Sequence, residues 1–164
     1  MAKGKLENAN LPISTLSLII ERVHGVKFPE LYNLGNIKEN EMNLILEDVL
    51  KKEKPVAYIV GFEFFYGYKI RVDENVLIPR TETEITVLEV IKYIKSNFEK
   101  GSEIKIADIC TGSGAILIAI VNELNKEYKF KLIASDISNE ALVVANDNFK
   151  TYDLDVKIYC GDLI

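Results

Sequence analysis

The chain has 164 residues, of which 48% are hydrophobic, and its formal net charge is −5. This length suits one ordinary domain or two small ones, and the hydrophobic fraction argues against global disorder. The acidic balance argues against a broad nucleic-acid interface, and the presence of a single histidine, His24, argues against a Ser-His-Asp triad and a His-rich zinc site.

Residues 1–57 are predicted to form a helical domain. Gly25 can end a first helix, in which apolar residues recur at helical spacing at Ile13, Leu16, Ile19, Ile20 and Val23. The same spacing predicts a second helix through Leu44, Ile45, Val49 and Leu50. It ends in the basic run 51–54 before Pro55, which we interpret as a solvated helix end.

Residues 58–80 are predicted to form a β-hairpin and a linker. The segment 58–72 is rich in aromatic and β-branched residues, and apolar and charged residues alternate over 68–73. We expect the hairpin to turn near Gly67 and to bury its aromatic side, although such a cluster can also stack on bases. Residues 77–80 follow as an extended linker.

A further helix is predicted from Thr81 to about Phe98, and it should stop before Gly101. Thr81 and Glu84 have the spacing of a capping box. The apolar face of this helix is predicted at Ile85, Leu88 and Ile91.

From residue 104 the pattern is β-α-β-α-β, which predicts an α/β fold with an incomplete Rossmann-like sheet. The strands are predicted at 104–109, 130–135 and 156–160, with helices at about 114–124 and 138–149. Ser138 is the expected N-cap of the second helix. The first helix is apolar on every side and should be deeply buried.

A candidate ligand site lies where these strands end. Residues 110–114 (Cys-Thr-Gly-Ser-Gly) form a turn in which Gly112 and Gly114 allow a ligand to approach the backbone, before a helix N-terminus that attracts anions. Asp136 ends the second strand, 22 residues after Gly114, which suits an acceptor for ribose hydroxyls. Asp162 ends the third strand and can meet an adenine amino group. Glycines after a strand can be present simply because the chain turns there. Acids at three adjacent strand ends, in addition to the glycines, favour a binding site.

The failure of three fingerprints narrows the ligand class. The third glycine of G-x-G-x-x-G would fall on Leu117, no Gly-Lys-Ser/Thr follows, and a nucleophile elbow around Ser113 would need glycines at 111 and 115. What remains is Asp108 before a glycine turn without phosphate contacts, which suits S-adenosylmethionine, whose anionic group is a carboxylate. We expect Asp108 to hold the turn or, through water, the ligand's ammonium group.

Residues 55–84 contain a G-x-x-x-F hairpin and the linker Leu-Ile-Pro-Arg-x-x-Thr-Glu, followed by IADICTGSG, ASDIS and GDL. In this order and spacing they resemble the HemK/PrmC family, the glutamine-N5 methyltransferases of peptide chain release factors. The resemblance implies an S-adenosylmethionine cofactor, a release factor as partner, and recognition of that partner by residues 1–57. Residues 81–164 would then be the first half of a class I methyltransferase domain.

Carried over by position, the family's cofactor turn falls on Cys110, Thr111, Gly112, Ser113 and Gly114. Its ribose acid falls on Asp136 and its adenine-side pair on Asp162 and Leu163. Cys110 departs from the family's usual glycine, and its Cβ narrows the pocket. The family's N-P-P-Y loop, which would align the substrate amide, is expected beyond Leu163, so we assign no catalytic residue.

We expect the chain to be a fragment of a longer enzyme located in the cytoplasm, with reduced thiols and no membrane segment. In the family's strand order, residues 104–109 lie beside a fourth strand. Without it they form an open apolar edge, which predicts an edge-strand homodimer. Two alternatives remain: an N-P-P-Y-type methyltransferase of nucleic-acid base amines, against which the charge argues, and a truncated non-catalytic binding module.

Overall fold

The structure is a computed structural model that describes residues 13–25, 54–162 and, between these ranges, positions 40, 43–45, 47 and 49. The chain divides into two compact units, Met1–Phe62 and Glu63–Ile164. The functions assigned above to residues 1–57, 58–80 and 81–164 stay predictions. Among the described residues, we find no helix with the length and apolar character needed to span a membrane.

The first unit contains helix α1 (Ile13–His24) and the short helix α2 (Val56–Val60), which contact each other. Helix α1 ends as predicted, because the Gly25 N–H donates to the Glu21 carbonyl at 2.9 Å. Its buried residues include Leu18, Ile19, Ile20 and Val23. The side chains of Ile13 and Leu16, which were predicted on this face, lie outside the described residues.

One prediction for this unit is wrong, and the second helix is confirmed at its described positions. Tyr58 lies in helix α2 and not in the hairpin, because Pro55 starts a single helical turn that closes when the Gly61 N–H bonds to the Ala57 carbonyl at 2.8 Å. Described positions 43–45, 47 and 49 are helical as predicted, but Leu44 is 68% exposed. Leu50 and the basic residues 51–53 lie outside the described residues.

The hairpin consists of β1 (Phe62–Phe65) and β2 (Tyr68–Arg71), which form a two-stranded sheet. Tyr66 and Gly67 connect the strands with positive φ angles of 51° and 80°, as a two-residue type I′ turn requires. The predicted turn near Gly67 is therefore confirmed. Phe65 and Ile70 are buried on one side of the hairpin, and Phe62 is buried on the other side.

Helix α3 (Glu84–Asn97) follows a 3₁₀ turn, Thr81–Thr83. The predicted capping box is wrong: no side chain caps the helix, and the Glu84 carboxylate instead accepts from the Tyr66 N–H at 2.7 Å. The predicted apolar face is also wrong: Val87 and Ile94 are buried, and Ile91 is only half-buried. Ile85 and Leu88, which were predicted on the apolar face, are 63% and 43% exposed.

A parallel three-stranded sheet confirms the predicted α/β fold. Its order is β3 (Glu103–Ile109), β4 (Lys129–Asp136) and β5 (Val156–Cys160), connected by α4 (Ala115–Leu124) and α5 (Asn139–Thr151). Ser138 caps α5 as predicted, since its hydroxyl accepts from the Ala141 N–H at 3.1 Å. Helix α4 is deeply buried as predicted, with Leu117, Ile118 and Leu124 fully inaccessible.

The two faces of this sheet differ in burial. On one side, which we call the inner face, Ile104, Leu132 and Ala134 are buried. The opposite side, the outer face, exposes Lys105, Ala107, Ile109, Lys131, Ile133, Lys157 and Tyr159. Strand β3 lies at an edge, because β4 is its only strand partner among the described residues.

Candidate functional site

The predicted cofactor turn connects β3 to α4 and is anchored through its backbone. The Thr111 N–H donates to the Ser135 carbonyl at 2.9 Å, and the Gly114 N–H closes the turn onto the Thr111 carbonyl at 2.8 Å. The Ile118 N–H then makes a helical bond to the Gly114 carbonyl at 3.0 Å. Residues 115–117 come before that bond, so their N–H groups form the positive end of the helix.

Asp108 holds this turn from the end of β3. Its Oδ2 accepts a hydrogen bond of 2.7 Å from the Thr111 hydroxyl. Burial raises the pKa of Asp108, the Thr111 hydrogen bond opposes this effect, and the negative charge of Asp136 adds to it. Of the two predicted roles for Asp108, the hydrogen bond matches the structural one, and a contact with a ligand stays a prediction.

Asp136 connects the turn to the loop after β4. One carboxylate oxygen accepts from the Gly112 N–H at 2.9 Å, and the other accepts from the Ser138 N–H at 3.1 Å. The Gly161 N–H donates to the Asp136 carbonyl at 3.0 Å, which brings the end of β5 to the same edge. Asp162 follows there and is exposed, whereas Leu163 lies outside the described residues.

The two glycines of the turn have different surroundings. At Gly114, where φ is +78°, a Cβ atom would lie 2.5 Å from Cε1 of Phe149, so only glycine fits against that ring. At Gly112, a Cβ atom would meet nothing within 4 Å. Gly114 is therefore needed for packing, whereas Gly112 leaves open space beside the Asp136 carboxylate.

Cys110, which stands where the resembled family usually has glycine, adopts a φ of +60°. An L-residue in this left-handed region is strained by about 1–2 kcal/mol. The thiol is free and exposed. The position thus keeps the backbone conformation that favours glycine while presenting a side chain to the candidate site.

A pocket of about 140 Å³ lies between this turn and the linker 77–80. Its lining includes Cys110, Thr111, Gly112 and Ser113 from the turn, with Ile78, Pro79 and Arg80 from the linker. The structure thus brings the linker and the glycine turn, which are separate in the sequence, to one place.

Sequence reasoning missed Asn148, which is 2% exposed in α5. Its Oδ1 accepts from the Arg71 N–H at 2.8 Å, and its Nδ2 donates to the carbonyls of Arg71 and Ser113, each at 2.9 Å. The signal was present, since position 148 falls on the same helical face as Ala141 and Ala145. A polar residue on a buried face requires partners, but the sequence does not identify them.

The hairpin makes further polar contacts with α4 and α5. Arg71 pairs with Asp147, and the Tyr152 hydroxyl donates to the Lys69 carbonyl at 3.0 Å. The Tyr68 hydroxyl donates to Glu123 at 2.9 Å, and burial together with this carboxylate raises the pKa of Tyr68 to about 12. The hairpin is therefore fixed beside the helices that follow β3 and β4.

Comparison with curated proteins gives three informative relatives, each named release factor glutamine methyltransferase. The protein from Bacillus subtilis (strain 168) is 41% identical over 70% of this chain and 38% of its own. The protein from Mycoplasma mycoides is 39% identical over 92% of this chain and 53% of its own. The protein from Rhodopirellula baltica is 36% identical over 86% and 48%. This chain belongs to the HemK/PrmC family. It spans about half the length of the curated relatives it matches.

No protein-family model matches the chain. Among solved structures, a ribosomal protein L11 methylase from Lactobacillus delbrueckii matches with a TM-score of 0.39 and 25% identity, over 57% of this chain and 43% of that one. An S-adenosylmethionine-dependent methyltransferase from Clostridium acetobutylicum matches with a TM-score of 0.37 and 22% identity, over 46% and 28%. With both TM-scores below 0.5, neither match supports an argument about ligand or substrate.

Proposed function

We propose that this chain carries the S-adenosylmethionine-binding part of an enzyme that methylates a glutamine side-chain amide of peptide chain release factors. The observation that carries the proposal is the open space at Gly112, directly beside the Asp136 carboxylate that its N–H contacts. The names of the relatives, at 36–41% identity, support this reaction and this partner.

The residues of the turn fit such a cofactor. The positive end of α4 suits the ligand's carboxylate, and the second lone pairs of the Asp136 oxygens remain free to accept from ribose hydroxyls. The pocket of about 140 Å³ is smaller than the roughly 300–1,000 Å³ of a complete small-molecule site. It therefore takes one end of the ligand, and the other end would lie along the edge formed by Asp136 and Asp162.

S-adenosylmethionine supplies a methyl group that is activated on a sulfonium. The residues of this chain would bind and orient that group: the turn 110–114 on one side, the linker 77–80 on the other, and Asp108 by holding Thr111. Such fixed placement is a main source of rate in a transfer between two bound molecules. No N-P-P-Y motif occurs in the 164 residues, and we assign no catalytic residue.

Cofactor binding is tested by titrating S-adenosylmethionine and S-adenosylhomocysteine into the chain in a calorimeter. We expect binding by the unmodified chain and weaker binding by Asp136→Ala, with Asp155→Ala, at an exposed position, as a control outside the site. Absence of binding by the unmodified chain would overturn the proposal.

The reaction is tested with S-adenosylmethionine labelled in its methyl group and with purified release factor or DNA as acceptor. Label in the release factor supports the proposed function, whereas label in DNA favours the base-amine alternative. Cofactor binding without transfer to either acceptor would support the non-catalytic binding module.

We also propose that the β3 edge pairs with the same edge of a second copy. Strand β3 exposes Ala107 and Ile109 on the outer face and has no second strand partner in the described part of the chain. Unpaired edges of this kind bind other strands readily. Size-exclusion chromatography with light scattering tests this directly, and a folded monomer at high concentration would contradict it.

A cytoplasmic location remains part of the proposal. Cys110 and Cys160 are both free, which agrees with a reducing compartment. Fractionation of cells that produce the protein, followed by immunodetection, would show it in the cytosolic fraction, and recovery with the membranes would contradict the assignment.

A further inference from the structure

Three consecutive residues of α5 together contact the hairpin and the cofactor turn. Asp147 pairs with the side chain of Arg71, and Asn148 bonds to the Arg71 backbone and to the Ser113 carbonyl. The ring of Phe149 lies against Gly114. This short stretch of helix therefore joins two segments that are more than 40 residues apart in the sequence.

Asn148 is the central residue of this connection because it uses both ends of its amide. A primary amide offers two N–H donors and a carbonyl acceptor, and here both donors and the acceptor are engaged. The Arg71 N–H donates to this side chain, and the Arg71 carbonyl accepts from it. The side chain thus pairs with the backbone of Arg71 as a neighbouring strand would. Neither alanine nor a carboxylate can reproduce all three bonds.

We propose that Asn148 is a positioning residue for cofactor binding, which acts by holding the Ser113–Gly114 peptide against the hairpin. The bond to the Ser113 carbonyl fixes the Ser113–Gly114 peptide, which leads into Gly114, the N-cap of α4, and so fixes the N–H groups at the start of that helix. Because the effect requires a ligand at this turn, the inference rests on the proposed function. Asn148 itself lies behind the turn and is not assigned any contact with the cofactor.

The first test compares two identical substitutions in the same helix. Asn148→Ala leaves the Ser113 carbonyl and both backbone groups of Arg71 without their partner, and we expect about tenfold weaker binding of S-adenosylhomocysteine in calorimetry. Asn146→Ala, two residues away at a half-buried position, should bind as the unmodified chain does. Equal affinity of Asn148→Ala and the unmodified chain would overturn the proposal.

A second variant separates positioning from a general loss of folding. In Asn148→Asp, one oxygen can still accept from the Arg71 N–H, but an ionised carboxylate would place its other oxygen against two carbonyls. Protonation restores one donor, so the affinity of this variant should recover from pH 8 towards pH 5.5, relative to the unmodified chain at each pH. A ratio that does not change with pH would count against the role of the amide donors.

Other ionisable groups surround this position and must be separated from it. Arg71 and Asp147 pair beside it, and Asp108 and Asp136 lie at the turn. These groups are identical in Asn148→Asp and in the unmodified chain. The ratio of the two affinities therefore isolates the new carboxyl group from their titration.

Hydrogen exchange distinguishes failure of this inference from failure of the proposed function. Without any ligand, Asn148→Ala should exchange the amides of residues 111–115 at least several-fold faster, whereas Asn146→Ala should not. If the unmodified chain binds no cofactor, the proposed function fails and the positioning role fails with it, while the exchange data still decide whether Asn148 holds the turn. Unchanged exchange in Asn148→Ala would overturn that structural link as well.

Discussion

The inner and outer faces of the β3–β4–β5 sheet contain similar numbers of residues but differ in how they are covered. Ile104 and Leu132 on the inner face are about 5% exposed, whereas Ile109 and Ile133 on the outer face are 44% and 39% exposed. The candidate cofactor turn belongs to the inner side, where Asp108, Thr111, Gly112 and Asp136 are connected by hydrogen bonds. Among the described residues, no side chain of the outer face is joined to a helix by hydrogen bonds of this kind.

One face of the sheet therefore supports the candidate site, whereas the other face is exposed to solvent. Parallel sheets are normally covered on both faces, and their strands then consist of nearly continuous apolar residues. Here Lys105, Lys131 and Lys157 alternate with the inner apolar residues, and Lys131 pairs with Glu103 at 2.9 Å. Substitutions on the two sides should therefore have very different effects.

The largest difference is expected between Leu117→Ala and Ile133→Ala. Leu117 is fully buried in α4, so its truncation leaves a cavity and should lower the free energy of unfolding by about 3 kcal/mol. Ile133→Ala should change it by roughly 0.5 kcal/mol or less, as expected for an exposed site. Urea denaturation followed by circular dichroism measures both.

The result for Ile133 also tests whether a second copy covers the outer face, a contact that is separate from the proposed pairing of β3 edges. If Ile133→Ala lowers the free energy of unfolding as much as Leu117→Ala does at high protein concentration, but leaves it unchanged on dilution, a second copy covers the outer face. A large effect at every concentration would contradict the open surface described here.

The next effect concerns the two glycines of the turn. Gly114→Ala combines a strained backbone with displacement of the Phe149 ring, and we expect a loss of about 2 kcal/mol in the free energy of unfolding. Gly112→Ala meets no atom, so only the backbone term of about 1 kcal/mol applies. Thermal denaturation of both variants gives the comparison, and equal losses would show that Phe149 does not restrict the turn.

The sequence predicted the parts of this fold that depend on local patterns. Ser138 capped α5 and Gly67 turned the hairpin as expected, because each result depends on residues close in the sequence. The contacts of Glu84 and Asn148 could not be predicted, because their partners Tyr66 and Arg71 lie 18 and 77 residues away. The helix that contains Tyr58 was not predicted, because the β-branched composition of this segment favours a strand. In the structure, Pro55 and Gly61 bound the segment and close it into a short helix.

For the candidate site, the sequence predicted where the residues lie but not the contacts between them. The order of strands and acids placed Asp108, Gly112 and Asp136 at one edge, as the structure does. The sequence did not reveal that Asp136 bonds to the turn itself, because this depends on how closely two loops approach. Contacts of these residues with a cofactor stay predictions until binding is measured.

Cys110→Gly is expected to have a smaller effect, and in the stabilising direction. Glycine removes the strain at φ +60°, although its greater freedom in the unfolded chain offsets part of the gain, leaving about 0.5 kcal/mol. S-adenosylhomocysteine should bind this variant at least as tightly as it binds the unmodified chain, because the Cβ atom of Cys110 no longer narrows the pocket. Cys160→Gly is the matched control: that exposed cysteine ends a strand and is outside the positive-φ set, so glycine should destabilise there. Stabilisation by both changes would show that the backbone at Cys110 is not the cause.

The smallest effect is expected at Asp108, and its size depends on pH. Burial raises the pKa of this carboxyl above that of the unfolded chain, so the folded state binds the proton more readily. Asp108 therefore contributes most to stability below its ordinary pKa, and this contribution is lost as the pH rises through the raised value. Asp108→Asn keeps an acceptor for the Thr111 hydroxyl without the charge, and should gain less than about 0.5 kcal/mol at pH 7. Thermal denaturation of both proteins from pH 7 to pH 4 should show that gain shrinking as the pH falls. A gain that grows towards pH 4 would mean that the turn stabilises the charged carboxylate, and that its hydrogen bonds outweigh its burial.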